Sequence, residues 1–412
     1  MRILAIATLY PLSSDDYPGQ FGHGSFRALA EMGHDLCVIR PQMLFYRLFS
    51  RDWRRKSNRL VPRQYTLNSV RVFCPRYARL PGKMWKPYEA GWRYGPIASV
   101  ARALSRAKPF DLIYGCELMP DGVVALRLGQ ELGLPVMLSS IGSDAHTYPY
   151  QSRRAMRQTV KALCEADLIL VEAQGAIGDI ERLSADTAPV RCFNRGIDLS
   201  RFENAVTRDE KRRELGLPLN RQLVVFVGAL NEGKGIRTLA DAFSLVTRQI
   251  ANVDLVCVGA GPLLTWLRNE AVAREWGDKL HLTGRRAFTE VPHILKACDV
   301  FCLPSYAEGL PKSVVEGMAA GLPVVVTSVG GIPDVMKYGE CGVLVPARDA
   351  HALAAALVGL LANAEMAARM GRTGRDIAYA HFDTVKNATG ILRFAEEAVA
   401  RGQARLAREK RT

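Results

Sequence analysis

Two glutamates on either side of a glycine-proline segment are the residues whose types and spacing best suit chemistry. Glu308 and Glu316 enclose seven residues, Gly-Leu-Pro-Lys-Ser-Val-Val. The spacing predicts Glu308 on a loop and Glu316 about one turn into the following helix, with Pro311 at the first helical position. Both acids then lie near a helix N-terminus at the carboxyl end of a strand, where α/β sheets bind ligands and free amides favour phosphate. The pattern indicates a nucleotide-diphosphate ligand.

A lysine and two glycine turns supply a second set of candidates. Lys234 precedes Gly235 at a predicted strand-to-helix turn that begins at Gly228, and a lysine there can reach a phosphate. Gly261 belongs to a second such turn, Gly-Ala-Gly-Pro. Each has a plainer interpretation, because surface lysines are common at helix starts and tight turns need glycine for positive φ. Their order along the chain, together with the two glutamates, favours a phosphate site.

The elements that would position these residues alternate between apolar strands and helical patterns. Near-continuous apolar strands indicate parallel sheets covered on both faces. The predicted strands are 3–8, 36–40, 112–115, 136–139, 168–172, 190–193, 223–227, 255–258, 280–283, 300–303, 324–327 and 343–345. We therefore predict an α/β protein with two doubly wound domains, residues 1–205 and 206–382. A final helix at about 383–412 is expected to pack back on the first domain.

Five motifs follow one another in the second half of the chain. They are Val227-Gly-(x)5-Lys-Gly235, Gly259-Ala-Gly-Pro262, Cys298-Asp-Val-Phe-Cys-Leu-Pro-Ser305, the Glu308–Glu316 segment and Gly330-Gly-Ile-Pro-Asp334. Their order resembles the C-terminal domain of glycosyltransferase family 4, and the likeness covers residues 222–360. The resemblance implies a retaining enzyme of the GT-B fold, with two Rossmann-like domains facing across a cleft. Within the family the chain is most similar to bacterial enzymes that extend cell-surface polysaccharides.

The resemblance also implies a role for each candidate residue. Glu316 would accept hydrogen bonds from the ribose diol, and Glu308 would contact hydroxyls of the transferred sugar. Lys234 and the amides at the helix start would hold the diphosphate of the departing nucleotide. Asp144 is the first-domain candidate for contact with sugar or acceptor, and His23 would lie on the acceptor side. The expected donor-binding positions are Gly19, Gly228, Gly261, Arg285, Gly309, Leu310, Pro311, Lys312, Ser313 and Glu316.

The implied mechanism retains the anomeric configuration without an enzymic nucleophile. The acceptor attacks on the side that the leaving group vacates, with the departing phosphate as base. Many family members carry a second phosphate cation at the position of Ala229 and a basic residue at that of Ile141. Lys234 is therefore the one side-chain cation expected on the phosphates. Because the sequence lacks an Asp-x-Asp motif, we expect transfer without a metal or another cofactor.

Positive charge is concentrated in one part of the chain. The net charge is +14, and residues 47–108 contain 16 Lys and Arg against two acids, with tryptophan and tyrosine interspersed. This composition favours an anionic membrane surface over residues 44–108, and a lipid-linked saccharide as acceptor. Residues 44–56, which include Leu48, Phe49 and Trp53, could then lie in the interface. A nucleic-acid surface or a merely solubilising insertion are the alternatives.

The expected location is the cytoplasm, peripheral on the inner face of the plasma membrane. The short apolar N-terminus, Ile-Leu-Ala-Ile-Ala, fits a first strand better than a signal peptide. Two other functions remain open at this stage. One is a nucleotide-sugar epimerase or hydrolase of the same fold, and the other is a non-catalytic basic protein that binds membrane or nucleic acid. Against the latter, no nucleic-acid-binding module is readable, so we expect no nucleic-acid partner.

Overall fold

A computed structural model describes residues 1–16, 19–44, 61–79, 83–203 and 207–411, apart from the side chains of Lys83, Met84 and Lys86. The chain forms two compact units, Met1–Arg195 with Val385–Thr412, and Gly196–Thr384. The boundary predicted after residue 205 is therefore ten residues too late. The physical reason is that the segment after Arg195 is already bound to the second unit: the Ile197 amide donates to the Phe382 carbonyl at 2.8 Å.

The first unit is built on a mainly parallel sheet. Among the described residues, its eight strands follow the order β10-β9-β8-β7-β1-β2-β5-β4, and only the β4–β5 pair is antiparallel. Strands β3 and β6 form a separate two-stranded sheet. The strands are β1 Arg2–Ile6, β2 Asp35–Ile39, β3 Gln42–Met43, β4 Gln64–Leu67, β5 Val70–Phe73, β6 Arg76–Tyr77, β7 Leu112–Gly115, β8 Val136–Ser140, β9 Leu168–Val171 and β10 Val190–Cys192. Strand β1 lies between β2 and β7, so the strand order reverses between β1 and β7.

Helices cover the faces of this sheet, and the last helix of the chain is one of them. They are α1 Gln20–Glu31, α2 Glu89–Ala107, α3 Val123–Leu132, α4 Ser143–His146, α5 Arg153–Glu165, α6 Gly175–Leu183 and, after the second unit, α15 Thr384–Glu409; short 3-10 helices are Lys83–Tyr88 and Pro149–Gln151. One face of α15 is buried in the core around β1, β2 and α1 through Ala388, Ile391, Phe394, Ala395 and Ala398. The first unit is therefore completed by the last helix.

The second unit contains a wholly parallel six-stranded sheet. Its order is β13-β12-β11-β14-β15-β16, so the strands of this unit, numbered from its first, run 3-2-1-4-5-6 as in dinucleotide-binding folds. The strands are β11 Gln222–Val227, β12 Val253–Val258, β13 Leu280–Gly284, β14 Val300–Leu303, β15 Val324–Thr327 and β16 Gly342–Val345. The helices are α7 Arg208–Leu215, α8 Ile236–Gln249, α9 Leu264–Ala273, α10 Val291–Lys296, α11 Lys312–Ala319, α12 Ile332–Met336, α13 Ala350–Ala362 and α14 Ala364–His381, with 3-10 helices Leu199–Phe202 and Glu232–Lys234.

All twelve predicted strands coincide with strands of the two sheets, whereas β3 to β6 were not predicted. The β4–β5 hairpin turns through Asn68 and Ser69, both with positive φ (45° and 67°), as a two-residue hairpin turn of this hand requires. The sequence at this turn is Asn-Ser and lacks the glycine that usually marks such hairpins. The surrounding positive charge also favoured a surface interpretation of the whole stretch.

Two predictions concern membranes. No single helix among the described residues is long and apolar enough to cross a bilayer; one pair, α13 and α14, reaches that length and composition together but is bent by 102°. The predicted interfacial segment, residues 44–56, lies outside the described residues except for Leu44.

Candidate functional site

Lys234 and Glu308 meet at the point where the strand order of the second sheet reverses. The loop after β11 carries Lys234, and the loop after the neighbouring strand β14 carries Glu308. The Lys234 Nζ donates to Glu308 Oε1 at 2.5 Å, and the Ser305 hydroxyl donates to the same oxygen at 2.5 Å. Glu308 is 8% exposed and Lys234 is 29% exposed, so the pair is sheltered but reachable. In open α/β sheets this position is where ligands bind.

Two glycines allow the backbone to hold this pair. Gly235 has φ +68°, and a Cβ there would lie 1.8 Å from the carbonyl oxygen of Pro304. Gly330 has φ +55°, and its Cβ would lie 1.8 Å from the carbonyl oxygen of Glu308. Both positions therefore exclude any side chain, because such a distance is far below van der Waals contact and the φ is left-handed. These close approaches fix the backbone positions beside Lys234 and at Glu308.

The helix after this loop begins one residue later than predicted. Pro311 has ψ 107° and is the N-cap of α11, and Lys312 is the first helical residue. The extended ψ keeps Pro311 out of the helix, so its expected place at the first helical position was wrong. The first amides of any α-helix lack partners within the helix, and here they follow Gly309, Leu310 and Pro311 directly after Glu308. The segment from Gly309 to Ser313 thus combines a loop with a helix N-terminus beside the Lys234 ammonium.

Glu316 is fully buried one turn into α11, and an arginine that sequence reasoning missed lies against it. Arg201 Nη1 donates to Glu316 Oε1 at 2.9 Å. Its other terminal nitrogen donates to the Phe288 carbonyl, and its guanidinium carbon lies 3.3 Å from the centre of the Phe288 ring. The only signal in the sequence was its place just before Phe202, close to the predicted domain boundary. Ser305 was also not predicted as a site residue, although it is the last residue of the motif Cys298–Ser305.

The remaining donor candidates lie at strand ends of the sheet they were assigned to. Gly228 follows β11 and its amide donates to the Val258 carbonyl at 3.0 Å. Gly261 packs on the same loop, since a Cβ there would lie 2.1 Å from the Leu230 carbonyl oxygen. Arg285 follows β13 and is exposed. In the first unit, Gly19 is the N-cap of α1 with φ +87°. These positions fit the predicted roles without testing them.

Asp144 has a different environment from the one expected. Its carboxylate accepts hydrogen bonds from the amides of Leu118 (2.8 Å) and Ile141 (3.0 Å) and from the Ser140 hydroxyl (2.8 Å). The residue is 3% exposed, and burial raises the pKa of its carboxyl while these hydrogen bonds oppose the rise. The predicted contact of Asp144 with sugar or acceptor stays a prediction, and the geometry also gives the carboxylate a structural role. The carboxylate joins two loops, those after β7 and β8.

His23 is likewise enclosed by protein. One ring nitrogen, Nδ1, lies 2.7 Å from the Tyr10 hydroxyl, and Nε2 lies 3.0 Å from Asn68 Oδ1. A neutral imidazole that accepts from Tyr10 and donates to Asn68 satisfies both contacts, and burial lowers the pKa of His23. The acceptor-side role of His23 stays a prediction. With both nitrogens engaged and 4% of the residue exposed, the geometry also gives the side chain a structural role. The histidine ties α1 to the β4–β5 turn.

A charged network that the sequence did not reveal lies at the reversal point of the first sheet. Thr8, which follows β1, donates its amide and hydroxyl to Asp121 at 2.8 and 2.5 Å. Arg93 of α2 donates to Asp121 at 3.2 Å and also to Glu89, which accepts from Tyr77 at 2.7 Å. Burial raises the pKa of Asp121, opposed by Arg93 and Thr8. The members come from four distant segments, so no local motif announces them.

Comparisons with known proteins point to one family. The model of the family described as glycosyl transferases group 1 matches residues 207–377. The Bacillus subtilis glycosyltransferase TuaC, whose name assigns it to teichuronic acid biosynthesis, is 31% identical over 366 residues, 87% of this chain and 88% of that protein. An Escherichia coli UDP-Gal:alpha-D-GlcNAc-diphosphoundecaprenol alpha-1,3-galactosyltransferase is 29% identical over 58% of this chain and 62% of its own.

A solved structure extends the likeness to the whole fold. Sucrose-phosphate synthase from Thermosynechococcus elongatus superimposes with a TM-score of 0.79 at 21% identity, covering 97% of this chain and 99% of that one. The predicted GT-B class, with parallel sheets in two units, is thereby confirmed. The level of identity to TuaC over most of both chains establishes the family as well. This chain belongs to the glycosyl transferases group 1 family and is a glycosyltransferase.

Proposed function

We propose that this glycosyltransferase moves a hexose-type sugar from a nucleotide-diphosphate donor to a saccharide acceptor during synthesis of a cell-surface polysaccharide. The observation that carries the donor is the meeting of Lys234, Glu308 and Ser305 beside the start of α11. A cation and free helix amides suit a diphosphate, and a carboxylate suits sugar hydroxyls. The names of the relatives support the rest: TuaC is assigned to a surface polymer, and the Escherichia coli enzyme uses a UDP-sugar.

We further propose that transfer retains the anomeric configuration and needs no metal. Negative charge builds up on the departing diphosphate, and Lys234 with the first amides of α11 stabilises it there. The leaving phosphate itself takes the proton of the acceptor hydroxyl, on the face from which the bond to the nucleotide breaks. Glu308 orients the sugar and does not attack it.

In this scheme Lys234 changes its partner when the donor binds. Lys234 Nζ lies 2.5 Å from Glu308 Oε1. A diphosphate beside α11 carries more negative charge than one carboxylate and draws the ammonium toward it. Glu308 then keeps its hydrogen bond from Ser305 and has acceptor capacity for sugar hydroxyls. Lys234 thus serves as counter-ion to Glu308 before binding and to the phosphates afterwards.

Replacing Lys234 by Met and Glu308 by Gln tests the site. We expect each change to lower kcat by roughly 100-fold or more, the loss typical when one preorganised charge at a leaving group is removed. The matched control is Lys337→Met, since Lys337 is a half-exposed partner of Asp334 on the same unit, 3.7 Å apart. The assay measures release of nucleoside diphosphate from UDP-, GDP- and ADP-hexoses with and without a saccharide acceptor.

Three results would contradict parts of this proposal. Activity within threefold of wild type in both site variants would remove Lys234 and Glu308 from the reaction. Equal consumption of donor without acceptor would favour the hydrolase or epimerase alternative. An inverted anomeric centre in the product, read by the proton coupling constant, would exclude retention.

For the acceptor we propose a lipid-linked saccharide, reached by a peripheral protein at the cytoplasmic face of the plasma membrane. The name of the Escherichia coli relative supports it, because that enzyme acts on a diphosphoundecaprenol-linked sugar. Support also comes from what we term the basic-aromatic surface of the first unit. Its members are Trp85, Tyr88, Trp92, Tyr150, Arg153, Arg154, Arg157 and Lys161.

The basic-aromatic surface combines two features of membrane interfaces. Trp85, Tyr88 and Trp92 pack on one another with ring centres 6.0 to 6.5 Å apart, and Tyr88 remains 43% exposed. Arg154, at the start of α5, lies 4.2 Å above the Tyr88 ring, which joins the aromatic group to the exposed basic face of that helix. Tryptophan and tyrosine favour the headgroup region, and each basic residue near an anionic leaflet adds attraction.

Vesicle binding with a charge-matched control tests this surface. The variant Arg153→Gln, Arg154→Gln, Arg157→Gln and Lys161→Gln should lose at least about tenfold of its partition onto vesicles with 30% anionic lipid, since each charge contributes several-fold. The control removes four exposed arginines of the second unit, Arg213→Gln, Arg248→Gln, Arg268→Gln and Arg372→Gln, and should bind as wild type does. Equal losses in both would indicate general charge attraction, and unchanged binding in the first would move the contact elsewhere in the chain.

A further inference from the structure

We infer that Arg201 is a positioning residue that holds Glu316 in place for the ribose of the donor nucleotide. The inference rests on the proposed nucleotide-diphosphate donor and adds a residue to its site. Arg201 precedes the first residue of the family match and was absent from every sequence-based assignment. Its case depends on contacts within the second unit alone.

The guanidinium of Arg201 is fixed on three sides. It donates to Glu316 Oε1 at 2.9 Å and to the Phe288 carbonyl, and its central carbon lies 3.3 Å from the centre of the Phe288 ring. The 3-10 helix that carries it is anchored by Phe202, which is 1% exposed and whose carbonyl accepts from Lys296 Nζ at 2.6 Å. A planar fork held in this way leaves the Glu316 carboxylate little freedom to rotate.

Burying the Arg201–Glu316 ion pair costs free energy, so its presence needs a reason other than stability. Glu316 is 0% exposed and Arg201 is 8% exposed. Buried ion pairs stabilise a fold no better than apolar residues of the same size, because both ions lose their hydration. The Nε–H of Arg201 is also buried and has no hydrogen-bond partner among the residues that the structure describes. An unused buried donor beside a buried carboxylate is more easily explained by a polar ligand than by packing.

The position of the pair identifies which part of the ligand it serves. Glu316 projects from α11, whose N-terminus follows the Lys234–Glu308 site. Phe288 follows the carboxyl end of β13, in the loop that also carries Arg285. Arg201 therefore links α11, the helix at the phosphate site, to the loop after β13. In a nucleotide the ribose lies between phosphate and base, so a carboxylate held between these two elements would lie beside the ribose diol of a bound nucleotide.

A second buried arginine of the same unit provides the matched control. Arg212 is fully buried and donates to the Ala297 carbonyl at 2.8 Å and to Asp299 at 2.9 Å. Asp299 comes just before β14, at the amino end of the strand, whereas Glu308 and Glu316 follow its carboxyl end. Arg212 thus matches Arg201 in burial and in pairing with an acid but lies at the opposite edge of the sheet.

The test deletes one hydroxyl from the ligand and the arginine from the protein. Calorimetry measures Kd for UDP, GDP and ADP and for their 2′-deoxy forms with wild type, Arg201→Met, Arg201→Lys and Arg212→Met. Wild type should bind the ribose form of its nucleotide roughly 10- to 100-fold more tightly than the deoxy form, the range for a hydrogen bond to a charged group. In Arg201→Met this ratio should fall to about threefold or less, with Arg201→Lys between the two. Arg212→Met should lower Tm and keep the wild-type ratio.

Three other outcomes would each overturn a different part of the inference or of the proposed function. If folded Arg201→Met keeps the wild-type ratio of ribose to deoxy affinity, the role of Arg201 is overturned. If Arg201→Met does not fold, the same result in Arg201→Lys overturns it. Equal binding of ribose and deoxy forms by wild type overturns the ribose assignment of Glu316 and the inference with it. Failure of wild type to bind any nucleoside diphosphate overturns the donor in the proposed function instead.

Discussion

Individual side chains in this enzyme divide by what they face. Lys234 and Glu308 face each other at a strand-order reversal where a ligand can enter, while His23 and Asp144 join neighbouring elements of the first unit. The four were indistinguishable in the sequence, because the family resemblance implied a role for each of them. Residue type and spacing therefore locate a loop, but the direction of the side chain depends on distant partners such as Asn68 and Leu118.

The environment of His23 predicts a pH-dependent stability. Burial lowers its pKa in the folded protein below the value of about 6.5 that it has when unfolded. On acidification the unfolded chain therefore takes up a proton that the folded chain refuses. Stability is full above about pH 6.5 and falls as the pH drops through the folded pKa.

His23→Gln isolates this contribution. Gln can still donate to Asn68 and accept from Tyr10 but does not titrate, so the fall in Tm between pH 7.5 and 5 should be smaller than in wild type by a few degrees. The control is His146→Gln, at an exposed histidine of the same unit. If His23→Gln and wild type lose the same Tm on acidification, the stated link between burial and titration is wrong.

Among the elements, the loops after β11 and β14 depend on backbone contact more than on side chains. Gly235, after β11, packs against the Pro304 carbonyl oxygen, and Gly330, after β15, packs against that of Glu308. Thr327 of β15 adds a hydrogen bond to the Ser305 carbonyl at 2.6 Å. The strands beneath were predictable because long apolar segments have one stable arrangement in a parallel sheet. The meeting of Lys234 with Glu308 was not, since it requires knowing that β11 and β14 are neighbours although two strands separate them in sequence.

A pair of glycines with nearly the same φ separates crowding from backbone strain. Gly235 has φ +68° and a carbonyl 1.8 Å from the Cβ position, whereas Gly216 has φ +66° and nothing within 4 Å. Gly216→Ala should cost roughly 1–2 kcal/mol, the penalty of the left-handed conformation. Gly235→Ala should cost clearly more, and should lower activity because Lys234 is displaced. Urea unfolding and the transfer assay measure the two effects; equal costs would mean that the loop yields without strain.

Over the whole molecule, the first unit is assembled from two separate pieces of chain. The final helix fills the core beside β1 and β2, and Arg405 donates to both carboxylate oxygens of Asp167 at 2.9 and 3.1 Å. The last helix was predicted to pack back on the first domain, but the local pattern of residues 383–412 does not tell which domain covers its apolar face. The division at Arg195 differs from the boundary predicted after residue 205 for the same reason, since Ile197 and Phe202 bond to Phe382 and Lys296, which are distant in sequence.

Two alanines of α15 test how far the first unit depends on this helix. Ala395 is fully buried and Ala400 is exposed, and both lie in the interior of the helix. Ala395→Asp places an unpaired charge in the core and should lower Tm by well over 5 °C or prevent soluble expression. Ala400→Asp carries the same helix propensity change and should stay within about 2 °C of wild type. Similar stabilities would show that the helix is dispensable.

The discontinuous first unit also sets an order of events on the ribosome. Synthesis delivers residues 1–195 first, yet the core around β1 lacks one wall until α15 emerges, after the whole of residues 196–384. The second unit is contiguous and can finish folding while the nascent first unit still exposes Phe193 and its neighbours in that core. Domains usually fold in the order in which they are translated. Here the N-terminal domain reaches its native core last, and the chain needs protection from aggregation for longest at its beginning.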